Sequence, residues 1–140
     1  MDLYVLDTSA VFCVLYNEEG TQQVVELLEG TGKTGETRVL LPFMALMELE
    51  YGLLRRVPRR EAERIMSQVE SWPVELRESS REWRHAAAHL KAKAGLSAAD
   101  AWNASLALLE DAELVHKDPE FEQVAGLKMV SLPYKRSKPA

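Results

Sequence analysis

The 140-residue chain predicts an α/β protein with a mostly parallel sheet and helices on both of its faces. Three observations carry that expectation. Short apolar runs rich in β-favouring residues alternate along the chain with longer segments of helical periodicity. The run Leu3-Tyr4-Val5-Leu6 lacks the polar alternation of a half-exposed strand, so it reads as a strand covered on both sides. It ends abruptly in Asp7-Thr8-Ser9, and the next periodic segment begins at Ala10, which places Asp7 at a strand-to-helix turn. In a parallel sheet that is where ligands bind.

Ala10 to Tyr16 reads as the first helix, and Thr21 to Leu28 as a second, closed by Gly30. Thr31 to Glu36, rich in glycine and threonine, reads as a turn. Thr37 to Leu41 is a short strand stopped by Pro42. From Phe43 to Arg56 runs a helix with apolar side chains on much of its circumference. Pro58 opens the next helix, charged along Arg59 to Glu63, with Ile65, Met66 and Val69 on its inner stripe. Pro73 to Leu76 reads as a third strand. Ser79 or Ser80 caps a helix that runs to Lys93 and ends at Gly95, with Trp83, Ala86, Ala87 and Leu90 inward. Ser97-Ala98-Ala99-Asp100 starts a further helix through Leu109. Glu113 to Val115 is the fourth strand, Asp118-Pro119 starts a short helix, and Lys128 to Leu132 is the fifth strand. Strands alternating with helices imply right-handed crossovers between parallel neighbours.

A single domain over residues 1–134 and a basic tail over 135–140 are expected, with neither linker nor repeat. Hydrophobic residues make up 46% of the chain, enough for a sizeable core. Seventeen basic against twenty-two acidic side chains leave a net charge of −5, the wrong sign for gripping nucleic acid by global electrostatics. A nucleic-acid substrate would therefore have to be held by local patches or metal ions. The longest uncharged apolar stretch, Val39 to Met47, is broken by Pro42 and too short to span a bilayer. Asp2 stands where a signal peptide carries basic residues, so a cytoplasmic protein without a membrane partner is expected. Cys13, the one cysteine, lies in an apolar helical stretch and reads as a small core residue.

Acids recur near element ends. Asp7, Thr8 or Ser9 serves as a helix cap, and taken alone the motif needs no other explanation. Glu48 lies inside a helix with Met44, Ala45, Tyr51 and Gly52 one turn away, so no local cation pairs with it. Glu50 is its rival, and helical geometry alone does not choose between them. Asp100 stands in a variant capping box with Ser97, and Asp118 before Pro119 has the form of a cap followed by proline at the first helical position. Their collective placement says more. If the first and fourth strands are neighbours and the chain leaves them in opposite directions, Asp7 and Asp118 line the crevice at the switch point. Asp100 and Glu48 can face the same crevice. Unit charges about 5 Å apart repel by roughly 3 kcal/mol per pair at an effective dielectric near 20, so four clustered carboxylates raise one another's pKa values or recruit cations. Hard oxygen donors without accompanying cysteine or paired histidine favour Mg²⁺ or Mn²⁺ over zinc. On these grounds Asp7 and Asp118 are candidate direct metal ligands, Asp100 a ligand or the holder of a metal-bound water, and Glu48 or its rival Glu50 a ligand or base. Thr8 and Ser9 would support them.

These residues resemble the PIN domain. The resemblance rests on a hydrophobic strand before Asp7-Thr8-Ser9, then Glu48-Leu49-x-x-Gly52, Asp100-Ala101-x-x-Ala104 and Leu114-Val115-His116-x-Asp118-x-x-Phe121, in that order across almost the whole chain. The length is similar to that of the family's bacterial and archaeal toxin branch, the VapC-type ribonucleases of toxin-antitoxin pairs. The resemblance implies a three-layer α/β/α fold with a five-stranded sheet in the order 3-2-1-4-5. It also implies an acidic pocket of Asp7, Glu48, Asp100 and Asp118, which binds Mg²⁺ or Mn²⁺ and hydrolyses RNA to 5′-phosphate and 3′-hydroxyl ends. It assigns the family glutamate to Glu48, and it implies a small antitoxin as partner and a homodimer, for which the apolar surface from Leu46 to Leu54 is available. One position departs from the pattern: His116 stands where the family usually has a small hydroxyl residue. A histidine there is able to hydrogen-bond phosphate, alter metal placement or pack.

The dense basic patches are Arg55-Arg56-x-x-Arg59-Arg60, a candidate RNA contact, and Lys135-Arg136-x-Lys138. His85 and His89 share a helix face, but without the acid of a His-Glu-x-x-His motif they do not make a zinc site. Trp72, Trp83 and Trp102 read as core or interface aromatics. Two other readings compete: a non-catalytic interaction module on the same fold, and a housekeeping nuclease without antitoxin. A phosphatase of the haloacid dehalogenase type needs a second acid where Ser9 stands.

Overall fold

A computed structural model describes residues 2–33 and 36–135. Among these the chain runs β1 (Asp2–Leu6), α1 (Thr8–Leu15), α2 (Thr21–Lys33), β2 (Thr37–Pro42), α3 (Phe43–Arg56), α4 (Arg59–Glu70) and β3 (Glu75–Arg77). It continues through α5 (Arg81–Lys93), α6 (Ala98–Glu110), β4 (Glu113–His116), a 3-10 helix (Pro119–Gln123) and β5 (Met129–Ser131). All four strand pairings are parallel and the sheet order is β3-β2-β1-β4-β5, as expected.

Successive strand residues feed two cores. Leu6, Val39, Leu41 and Val115 point into one, completed by Val11 and Cys13 of α1, Val24 of α2, Leu49 and Leu53 of α3 and Val69 of α4. Val5, Leu40 and Leu114 point into the other, with Trp83 of α5, the small residues Ala101, Ala104 and Ala107 of α6, and Phe121. Both faces of the sheet are thus dry, which explains why the central strands read as continuous apolar runs. The ring of Phe121 is fully buried, and truncating it to alanine would cost roughly 3–5 kcal/mol. Trp83, Trp102 and Phe43 form an edge-to-face trio with centroids 5.0–5.4 Å apart, while Trp72 packs on the opposite core. No helix among the described residues is long and apolar enough to cross a membrane.

The structure corrects several boundaries. Asp7 caps α1, which therefore begins at Thr8 and not at Ala10. Gly30 does not close α2; the helix continues to Lys33, so the expected turn from Thr31 shrinks, and residues 34–35 lie outside the described set. The reason is a close approach: a Cβ at Gly30 would sit 3.3 Å from Thr37 Oγ1, so the glycine lets the helix lie against the start of β2. The third strand is shifted to Glu75–Arg77, paired in register with Leu40, Leu41 and Pro42.

Candidate active site

The crevice opens where the chain leaves the carboxyl ends of the neighbouring strands β1 and β4. The Asp7 N–H donates to the Val115 carbonyl at 3.0 Å, so the acid sits where the two strands part. Asp7 is only 4% exposed and its carboxylate is fixed from two sides. The Ser9 N–H and hydroxyl donate to Oδ2 at 3.0 and 2.5 Å, and the Asn103 amide of α6 donates to Oδ1 at 2.8 Å. Ser9 Oγ in turn accepts the Lys117 N–H at 2.9 Å, tying the ends of β1 and β4 together. Asp7 is therefore a helix cap and part of the crevice at once.

Thr8 Oγ1 donates to Glu48 Oε1 at 2.7 Å, which brings α3 into the same crevice. Glu50 is exposed, so of the two rivals it is Glu48 that faces the crevice. Asp100 lies in the first turn of α6, its N–H donating to Ser97 Oγ at 3.1 Å. Asp118 caps the 3-10 helix, with Oδ1 accepting the Glu120 N–H at 3.0 Å.

Electrostatics register the convergence. Burial above all, then the charges of Asp7, Asp118 and Glu48, push Asp100 up to about 7 against a hydrogen bond from Ser97. Burial likewise raises Glu48; the Thr8 hydrogen bond opposes the shift and the charge of Asp7 adds to it. Carboxylate oxygens of Asp100, Asp118 and Glu120 lie within 4.8 Å of one another, the span of ligands on a hard cation with bonds of about 2.1–2.4 Å. Asp7 stands outside that mutual reach, held by Ser9 and Asn103, although its field is felt at Asp100. Among the described residues Asn103 Oδ1 is buried without a hydrogen-bond partner, an acceptor suited to water in an ion's hydration shell. An all-oxygen donor set of this spacing fits a divalent cation of the Mg²⁺ or Mn²⁺ type.

His116 is fully buried beneath the crevice and does not line it. Its Nδ1 accepts the Asp118 N–H at 3.1 Å, so the ring proton sits on Nε2, 3.3 Å from Ser131 Oγ. Phe121 meets the ring edge-on at 5.0 Å, and burial lowers the imidazole pKa despite the nearby acids. The ring thus packs against Phe121 and supports the Asp118 turn.

Three further residues were missed by the sequence reading. Asn103 lies one helical turn beyond Asp100, Glu120 follows Asp118 by two residues, and Lys117 occupies the unspecified place between His116 and Asp118. Spacing carried a signal for the first two; nothing marked Lys117, whose side chain is 4% exposed and bonds Glu18 and the Glu19 carbonyl. The four arginines separate as well. Arg55 donates to the Tyr51 hydroxyl, Arg59 pairs with Glu63, Arg60 is exposed, and Arg56 lies over Phe12 and Tyr16. His85 and His89 are exposed on α5 with ring centroids 6.3 Å apart. Lys135 reaches Glu18, while Arg136 and Lys138 of the expected tail lie outside the described residues.

A family profile described as the PIN domain matches residues 4–127. Among curated proteins, no relative matches. Similar solved structures include VapBC2 from Rickettsia felis bound to a promoter DNA fragment, 20% identical, with a TM-score of 0.76 over 94% of this chain and 99% of that one. DNA-bound VapBC from Salmonella typhimurium is 18% identical, with a TM-score of 0.75 over 94% and 98%. VapBC-5 from Mycobacterium tuberculosis, of the VapBC family of toxin-antitoxin systems, is 18% identical, with a TM-score of 0.63 over 94% and 100%. At such identities the likeness shows the fold.

Proposed function

The chain belongs to the PIN domain family, and on that premise we propose that it is a divalent-metal-dependent endoribonuclease, the VapC-type toxin of a toxin-antitoxin pair. The observation that carries the reading is the meeting of Asp7, Glu48, Asp100 and Asp118 at one crevice, close enough for the charges of the other three to add to burial in raising Asp100 to about 7. Asp100 and Asp118, with Glu120, would hold a Mg²⁺ or Mn²⁺ ion, and Asp7 would complete its surroundings. When bound, such an ion offsets the negative charge of the phosphodiester and lowers the pKa of water.

The chain's own residues supply the rest. Ser9 and Asn103 fix both oxygens of Asp7, so no rotamer search precedes reaction. Glu48, held by Thr8 and raised by burial, is suited to take a proton from the attacking water. Attack at phosphorus with loss of the 3′ oxygen leaves a 5′-phosphate and a 3′-hydroxyl. His116 holds the Asp118 N–H and thereby the turn that aims this carboxylate.

The VapBC structures above support an antitoxin partner for this chain. Met47, Tyr51 and Leu54, each more than half exposed, line one side of α3 and are the proposed homodimer face, read by sedimentation. Cleavage of RNA with end mapping, with and without Mg²⁺ or Mn²⁺, tests the catalytic reading. The wild type is expected to cut only with the ion, and Asp7→Asn to lose at least about a hundredfold in rate. Equal activity in the variant, or no cleavage and no Mn²⁺ binding by the wild type, overturns it.

A further inference from the structure

We propose that the groove beside the acids, about 250 Å³ in volume, holds the RNA nucleotide flanking the scissile phosphate, with Arg56 and the Phe12–Tyr16 ring pair as its recognition surface. This inference rests on the ribonuclease reading above. The groove starts at Ser9 and Asp118, so it is continuous with the acid crevice, and it passes Phe12 and Tyr16 to Arg56.

Two helices build it by a shared period. Thr8 and the ring residues Phe12 and Tyr16 follow at four-residue steps along and just past α1, and Glu48, Gly52 and Arg56 do the same along α3. The helices meet at each step. Thr8 bonds Glu48 at 2.7 Å. A Cβ on Gly52 would lie 2.8 Å from Phe12 Cζ, so only a glycine admits the ring there. The Arg56 guanidinium carbon stands 4.9 Å from the Phe12 centroid and 5.6 Å from that of Tyr16, two rings within 6° of parallel. One register thus runs from a carboxylate at the chemistry, across an aromatic floor, to a cation.

The charges single out Arg56. Lys117 is buried and bonded to Glu18 and the Glu19 carbonyl, and Lys135 pairs with Glu18 at 2.9 Å. Arg56 is exposed and among the described residues meets no carboxylate, only the two rings. A guanidinium held against aromatics keeps donors for phosphate and a planar group on which a nucleobase can stack. Tyr16, 45% exposed, offers a second stacking face. On a chain of net charge −5, such a local patch is what an RNA strand requires.

Cleavage of single-stranded RNA with Mn²⁺ by the full chain tests this, with Lys128→Ala, which removes the partner of Asp111, as a surface-cation control. Arg56→Gln and Tyr16→Leu are expected to raise KM about 5- to 10-fold with kcat little changed, while Tyr16→Phe keeps the ring and stays within about twofold. Arg56→Gln should also flatten the dependence of log affinity on log salt by about 0.7, one phosphate contact to a single strand. If the wild type cleaves RNA while both variants keep its KM and salt slope, the groove inference fails and the functional reading survives. A loss confined to binding of a protein partner overturns it equally. If the wild type cleaves nothing, both fall.

Discussion

Asp100 decides how the protein responds to pH. Because burial and neighbouring acids raise it to about 7, the folded chain retains a proton there that the unfolded chain releases near pH 4. This contribution to stability is complete below about pH 4 and is lost as the pH climbs toward 7. Melts of metal-free protein between about pH 5 and 7.5 should show a falling midpoint that Asp100→Asn flattens. Cation binding needs the ionised form, so Mn²⁺ affinity should rise toward tenfold per pH unit below about 7, as calorimetry would read. His116 has the opposite sign: its lowered pKa gives stability above about 6.5 that is lost as the pH falls. Truncating it to alanine empties a buried site and strands the Asp118 N–H, a cost of about 2–4 kcal/mol in denaturant unfolding. At this scale Asp7, Asp100 and Asp118 were legible because each ends or opens an element, whereas Glu48, inside α3, was separated from Glu50 only by the family resemblance. Asn103 was not, because a polar residue on a helix reads as solvent-facing until the packing of α6 on the sheet is known.

The register between α1 and α3 turns one glycine into a sensitive position. Gly52→Ala improves intrinsic helix propensity by about 1 kcal/mol yet drives a methyl into the Phe12 ring. The expected outcome is a far-UV spectrum like the wild type, with RNA KM raised because the ring moves. An unchanged KM would show that the ring's place is not required. Sequence alone marked Gly52 only through the family pattern and misjudged Gly30. A glycine near a helix end has the same local signature whether it ends the helix or admits a neighbouring strand, and only the position of Thr37 distinguishes the two. Strand positions were easier to read, because burial on both faces leaves an unbroken apolar run.

Metal binding and folding should be linked across the whole molecule. Carboxylates held together in the native state separate on unfolding, so a cation that fits them stabilises the native state alone. At about a hundred times its Kd such an ion adds about 2.7 kcal/mol, roughly 8–10 °C in midpoint for a chain of this size. Differential scanning calorimetry with Mn²⁺ should show that rise, and Asp100→Asn with Asp118→Asn should abolish it. The alternation of strands and helices announced the parallel sheet, whereas the strand order came from the resemblance, since periodicity does not say which strands are neighbours. That order sets three-residue strands, β3 and β5, on the two flanks of the sheet. Each flank exposes only a few peptide groups for an incoming chain to bond. The fold therefore offers little foothold for amyloid-type growth, and contact between copies is left to helix side chains.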